Sequence, residues 1–414
     1  MRPDRRIISW CLFDFANSSY SAVIAAVIFP VYYANQVVGG GEGDLWWGRA
    51  VSLSMAIVAL SSPLLGGIAD FGGIRKRLLF IYTLISILAV SAFSFLKEGM
   101  ALEGFILVVV ANVGMEGGIV FYNSFLTQIA KEEYQGRVSS WGYAVGYAGS
   151  ILSLLIALPF VTKGFYSGAW LTVALMFFVF SIPAFLYLPR DTKEGGFVSA
   201  ASRGMRFTWR TFSEIWRNRE SRKFLIAYLI YEDGVNTVIV FSSLFAAATF
   251  GFQSPELIGL YITVQVTALA GAFLMARPID FWGPKKVVSL TLVLWTLVTV
   301  FAFFAVTKLQ FWLIASVAGI GLGSVQAATR AFFAQFIPEG HESEYFGVYS
   351  MVGKSSAVIG PLLFGYISTA AGSQRPAILV VALFFLSGLI IVRMIKGGGP
   401  NVKKLPVKKV SGTL

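Results

Sequence analysis

Long apolar runs recur along this 414-residue chain, and they limit its fold more than any other feature. The runs cover residues 8–37, 46–69, 78–96, 102–130, 138–161, 168–188, 223–249, 256–276, 287–306, 309–337, 345–371 and 376–395. A helix needs roughly 20 apolar residues to cross the hydrocarbon core of a bilayer. No water is present there, so each segment must satisfy its own backbone, which a helix does. A barrel strand instead reads as about ten residues of alternating polarity, and these runs are continuous. The expectation is an all-α membrane protein of twelve transmembrane helices. Composition agrees: 13% of residues are charged, against about a quarter in soluble domains.

The net charge of +12 is explained by where the basic residues fall. Of 33 Lys and Arg, 26 lie in the termini, the 190–223 connection and the loops on that same side. Four lie in the opposite loops: Lys97, Lys163, Lys308 and Arg375. Basic residues collect on the cytoplasmic side, so both termini and the long connection are expected there. A cytoplasmic (inner) membrane of bacterial type fits this pattern, and nucleic acid is not needed as a partner. The first run follows Arg2, Arg5 and Arg6 but is too long for a signal-peptide core and carries Asp14. In the connection, Trp209, Phe212 and Trp216 share one helical face and Arg206, Arg210 and Arg217 another, as in an interfacial helix.

The chain also repeats itself. "GGIADFGGIRKRL" (Gly66 to Leu78) is echoed by "ARPIDFWGPKKVV" (Ala276 to Val288), which aligns Asp70 with Asp280, Gly73 with Gly283, and Arg75 and Lys76 with Lys285 and Lys286. "GRVSSWGYAVGYAG" from Gly136 is echoed by "GVYSMVGKSSAVIG" from Gly347, and "NSFLTQ" from Asn123 by "RAFFAQ" from Arg330. "DFAN" (Asp14 to Asn17) has a partner in "DGVN" (Asp233 to Asn236). Two six-helix halves of like topology are therefore expected: a bundle over 1–188, a linker over 189–222, a second bundle over 223–396 and a basic tail over 397–414. Parallel repeats of this kind place a substrate site near the midplane, between the halves.

The loop after the second run resembles the signature of the major facilitator superfamily. Gly66, Asp70, Gly73, Arg75 and Lys76 fit it, while Phe71 and Phe281 stand where that signature has a basic residue. "LFDFANSSYSAVIAAVIFPVYY", "YEDGVNTVI" and "YFGVYSMVGKSSAVIGPLLFG" resemble the vacuole-effluxer branch, whose fungal members export amino acids from the vacuole in autophagy. The resemblance implies secondary transport by alternating access, with runs 1, 4, 7 and 10 lining the cavity. It implies a conformational latch formed by Asp70, Gly73, Arg75 and Lys76 with Asp280, Gly283, Lys285 and Lys286. It also implies an amino-acid substrate.

Ionisable residues inside a membrane are costly and mark functional sites. Asp14, Glu116, Glu232, Asp233, Arg330 and Lys354 are the candidates. Asp14 shares a helix face with Asn17, and Asp233 with Asn236, because each pair is three residues apart. Glu232 is turned about 100° from Asp233, so the two cannot point the same way. Asp233 and Glu116 read as substrate- or proton-binding groups. The alternative is a helix cap or an ion pair, for instance Asp14 with Lys354. An amino-acid zwitterion needs one anion and one cation, which Glu116 or Asp233 with Arg330 or Lys354 supply. Tyr20, Trp141 and Tyr231 are candidates for an aromatic cage. Gly142, Gly146 and Ser150, echoed by Gly353, Ala357 and Pro361, form small-residue stripes that allow close helix packing.

One histidine, His341 in a polar loop, and one cysteine, Cys11, argue against a metal or cofactor. No catalytic constellation or phosphate-binding loop is present, so an enzyme or ATP-driven pump is not expected. The reading is a monomeric, proton-coupled transporter of a small solute, with amino acids as the preferred class. A lipid or hydrophobic-compound exporter and a non-transporting membrane sensor or scaffold remain open.

Overall fold

A computed structural model of the chain describes residues 3–39, 43–191, 211–356, 359–371 and 373–396. Among these residues the regular structure is helical throughout. Ten helices are each long and apolar enough to cross a membrane, and a bent pair forms an eleventh candidate span.

The bent pair is the first run. Helix α1 (Arg5–Val27) starts under Asp4, whose carboxylate accepts the amides of Arg6 at 3.0 Å and Ile7 at 2.9 Å. That satisfies donors left free in a first helical turn. Helix α2 (Phe29–Val38) follows at a bend of 42°. The sequence pattern predicts one continuous helix here. Pro30 lies at the start of α2 and has no N–H for the preceding turn, which places the bend.

Helices α3 (Gly43–Gly72), α4 (Arg75–Ala92), α5 (Ala101–Ser124), α6 (Gln135–Thr162) and α7 (Tyr166–Tyr187) complete the first repeat. In the second, α8 (Arg219–Phe250), α9 (Ser254–Trp282), α10 (Pro284–Phe304) and α11 (Lys308–Ala334) follow the predicted runs. Asn218 caps α8, accepting the amides of Glu220 and Ser221, each at 3.0 Å. The eleventh run, predicted as one helix over 345–371, is described in two parts. Helices α12 (Glu342–Ser355) and α13 (Ile359–Ala371) are each shorter than a span, and residues 357–358 between them lie outside the described residues. Helix α14 (Arg375–Arg393) closes the described chain.

Helix α3 packs along α12 and α6 along α9, so both contacts join one repeat to the other. Glycine makes the first possible: a Cβ on Gly66 would meet the Ser343 carbonyl, and one on Gly347 the Ser62 carbonyl. The Gly142–Gly146–Ser150 stripe faces α1, where the Ser150 hydroxyl donates to the Ser18 carbonyl at 3.2 Å. Gly353 faces Tyr228 of α8, while Ala357 lies outside the described residues. Of the expected interfacial helix, Arg206, Trp209 and Arg210 are also outside them; residues 211–217 are helical, with the Phe212 and Trp216 rings stacked at 6.2 Å.

Candidate functional site

A cavity of about 630 Å³ lies between helices drawn from both repeats. Helices α1, α5, α8 and α11 line it as the resemblance implied, joined by α6, α9, α10, α12, α13 and α14. Six of the seven expected binding residues border it: Asp14, Asn17, Glu116, Asn236, Arg330 and Lys354.

Two charge contacts cross between the repeats inside the cavity. Lys354 Nζ of α12 lies 2.6 Å from Glu116 Oε2 of α5. Both side chains keep some exposure, 27% and 16%, so this pair stays open to a competing solute. Arg330 of α11 is different. Its guanidinium donates to Ser139 Oγ at 2.8 Å, the Ser139 carbonyl at 2.7 Å and Asn123 Oδ1 at 3.2 Å. It lies 4.6 Å from the Trp10 ring centre and 4.1 Å from that of Tyr143, a double cation–π contact. Asp14 Oδ2 is 3.7 Å from Nη1. Arg330 is 2% exposed, and its donors are committed to α5 and α6. It braces one repeat against the other. Asn123 and Arg330 open the echoed segments "NSFLTQ" and "RAFFAQ", so equivalent positions of the two repeats meet here.

Two expectations are corrected. Asp14 pairs with Arg330, and Lys354 with Glu116; the anticipated Asp14–Lys354 pair does not form, because each cation meets a nearer carboxylate. Asp233 does not border the cavity. Both its carboxylate oxygens accept the Gly360 amide at 2.9 Å, capping the first turn of α13. The helical turn between neighbours brings Glu232 to the cavity instead, where Gln326 Nε2 donates to it at 3.3 Å. The two Asp-x-x-Asn pairs therefore differ: Asp14 and Asn17 both reach the cavity, but only Asn236 of the second pair does, donating to Ser356 Oγ at 3.1 Å.

The aromatic lining also differs from expectation. Tyr20 donates to Asn112 Oδ1 at 2.5 Å and Tyr231 shares a hydrogen bond with Thr329 at 2.9 Å, both away from the cavity. Trp141 does not line it either. Tyr143, Tyr147, Tyr228, Tyr261 and Tyr349 do. Sequence reasoning missed these, although Tyr143 and Tyr147, four apart on α6, mark one helix face.

The signature loops gather at one end of the molecule. Gly73 and Gly283 take φ of 57° and 85°, a region that favours glycine, and each lets the chain turn from one helix into the next. Asp70 accepts Arg75 Nη2 at 2.5 Å and the amides of Ser343 at 3.1 Å and Glu344 at 2.9 Å, capping the start of α12. Arg75 reaches on to Glu342 at 2.9 Å. Asp280 makes the matching contact with α6, accepting the Arg137 amide at 2.8 Å and lying 3.1 Å from its Nε.

The loop lysines do not join these contacts. Lys76 Nζ donates to the Leu188 carbonyl at 2.8 Å, and Lys285 Nζ to the Ile395 carbonyl at 2.6 Å. Each cation sits on carbonyls at a helix C-terminus, where the helix dipole favours it. Lys286 lies over the Trp282 ring at 5.6 Å. His341, expected to be solvated, is half-buried: Nδ1 lies 3.1 Å from Glu344 Oε2, and its ring packs edge-on against Phe71 at 5.9 Å. The Glu344 carboxylate holds the imidazole above its ordinary titration range.

The comparisons with known proteins agree with this architecture. The human organic anion transporter MFSD10 superposes with a TM-score of 0.74 at 13% identity, over 94% of this chain and all of that one. The major facilitator transporter FucP, solved in the outward conformation, superposes at 0.70 and 15% identity, over 94% and 98% of the two chains. In sequence, an uncharacterized MFS-type transporter of Bacillus subtilis, YxiO, is 27% identical over 94% of both chains. Autophagy-related protein 22-1 of Penicillium rubens is 22% identical over 88% of this chain and 79% of its own. The profile of the family described as "Vacuole effluxer Atg22 like" matches residues 49–397. This multi-pass membrane protein belongs to the Atg22-like vacuole effluxer family of major facilitator transporters.

Proposed function

We propose that the chain is a proton-coupled secondary transporter of amino acids, working by alternating access. In this reading twelve spanning helices form two six-helix bundles, 1–188 and 223–396, joined by the 189–222 linker and followed by the 397–414 tail. It acts as a monomer with both termini on the cytoplasmic side of an inner membrane. The observation that carries it is the Glu116–Lys354 pair, which joins the repeats inside the cavity. A proton on Glu116 releases the Lys354 ammonium, which then binds a substrate carboxylate. The proton and the solute are thereby coupled through one ion pair. Asp70 and Asp280, each capping a helix of the opposite repeat, hold the cytoplasmic end shut, and Gly73 and Gly283 shape their loops. This supports an outward-facing state. Cap contacts of this kind lengthen or break when the repeats rock.

The test is uptake of a radiolabelled neutral amino acid into proteoliposomes under an imposed proton gradient. Glu116→Gln should abolish the gradient's effect while leaving exchange at equal pH. If Glu116→Gln responds to the gradient as the parent does, coupling at this pair is wrong. If lysolipids but no amino acid raise the melting temperature, the substrate class is wrong and the exporter of hydrophobic compounds replaces it.

A further inference from the structure

The charges of the cavity leave one carboxylate over. Asp14 lies beside Arg330, and Glu116 beside Lys354. Glu232 is 8% exposed, borders the cavity and, among the described residues, has no cation within ion-pair distance. Its one hydrogen bond there comes from the neutral amide of Gln326 at 3.3 Å. Tyr143, Tyr147, Tyr228 and Tyr349 border the same cavity. Tyr228 and Tyr349 are stacked at 4.4 Å, which fixes one wall.

A carboxylate shielded from water and short of partners is costly. The tyrosines that line the same cavity offer a second attraction for a cation. Neither feature serves an anionic or a purely apolar guest. Such a site binds an alkylammonium group, and the same cavity holds the Glu116–Lys354 pair.

We propose that Glu232, with the tyrosines that line the same cavity, is a side-chain subsite for a second ammonium group. This rests on the amino-acid reading above, in which Lys354, released by Glu116, holds the substrate carboxylate. The favoured substrates are then amino acids whose side chain ends in an amine. Discrimination should be large. A site arranged to pair a polar group rejects an analogue lacking it much more strongly than an apolar pocket rejects a missing methylene.

The test uses full-length protein in nanodiscs and three probes that differ by one group: lysine, norleucine and cadaverine. Norleucine keeps the zwitterionic head and chain of lysine but lacks the side-chain amine. Cadaverine keeps both amines but lacks the carboxylate. Calorimetry should give lysine at least a tenfold tighter binding than norleucine. Glu232→Gln should erase that ratio while leaving norleucine unchanged, and Glu232→Asp should restore much of it. Equal affinities for lysine and norleucine in the parent protein overturn the subsite but leave the amino-acid reading intact. Cadaverine binding as tightly as lysine overturns the amino-acid head and keeps the ammonium site. Absence of binding by all three overturns both. The comparison of probes in the parent protein does not depend on any variant folding.

Discussion

Arg330→Lys is the substitution whose consequence follows most directly from the structure. The charge is kept, but a lysine cannot donate at once to the Ser139 hydroxyl, the Ser139 carbonyl and Asn123, as the guanidinium does. It also loses the flat stacking between Trp10 and Tyr143. Hydrogen bonds to a charged group contribute about 1.5–3 kcal/mol each, so losing one to two of them removes about 3 kcal/mol. These contacts join α11 to α5 and α6 and, in the proposed alternating-access cycle, have to break when the signature-loop end opens. The loss therefore falls on this state and should move the equilibrium by a factor of about 100. Distances between spin labels report it. Cysteines at Lys131 and Glu339, both exposed near this end, carry the labels in a background where Cys11 is serine. The parent should show one short distance, and Arg330→Lys a dominant longer one. An unchanged distribution in Arg330→Lys would refute the idea that this residue braces the closed state. The double variant Asp14→Asn, Arg330→Met should lose less thermal stability than Arg330→Met alone, which leaves a buried carboxylate without its cation.

Other expectations concern the end that carries the signature loops. His341 titrates above its ordinary value because of Glu344; its pairing thus contributes fully below the unfolded pKa and is lost as pH rises through the folded one. The melting-temperature gap between the parent and His341→Asn should be largest in acid and close at alkaline pH; a gap constant with pH would exclude this pairing. Gly66→Val places a side chain against the Ser343 backbone and should cost about 1–3 kcal/mol by overpacking, with the α3–α12 contact loosened; an unchanged melting temperature would count against the close approach. A cysteine at Arg217 should react with impermeant thiol reagents only from the cytoplasm, and labelling from outside would invert the proposed topology.

The helices were legible because the bilayer imposes length and apolarity on every span, and α3 to α11 follow the predicted runs closely. The bend in the first run was not, because hydropathy is blind to Pro30, nor was the cap that Asp233 delivers to Gly360 from another helix. The cavity carboxylates and cations were legible as a set, since charge in an apolar run stands out. Their pairing was not. Lys354 and Glu116 are far apart in sequence, and nothing local says that Lys354 meets Glu116 and not Asp14. Glu232 and Asp233 differ by one residue, and only the rotation of α8 decides which faces the solute. The loop lysines were expected in the latch because the resemblance to the superfamily signature implied it; their reach to the far helix ends depends on tertiary contacts.

The pairing across the cavity has a consequence for how the protein is made. The anions of both central contacts, Asp14 and Glu116, belong to the first repeat, and the cations, Arg330 and Lys354, to the second. Synthesis runs from the N-terminus, so the first repeat enters the membrane with two carboxylates that have no counter-ions until the second arrives. Those groups must wait protonated or wetted, at a cost that ends when the repeats join. The first repeat expressed alone should then be short-lived in cells and rescued by the second supplied as a separate chain. Although the repeats look like duplicates, in charge they are complementary, and neither is a finished unit.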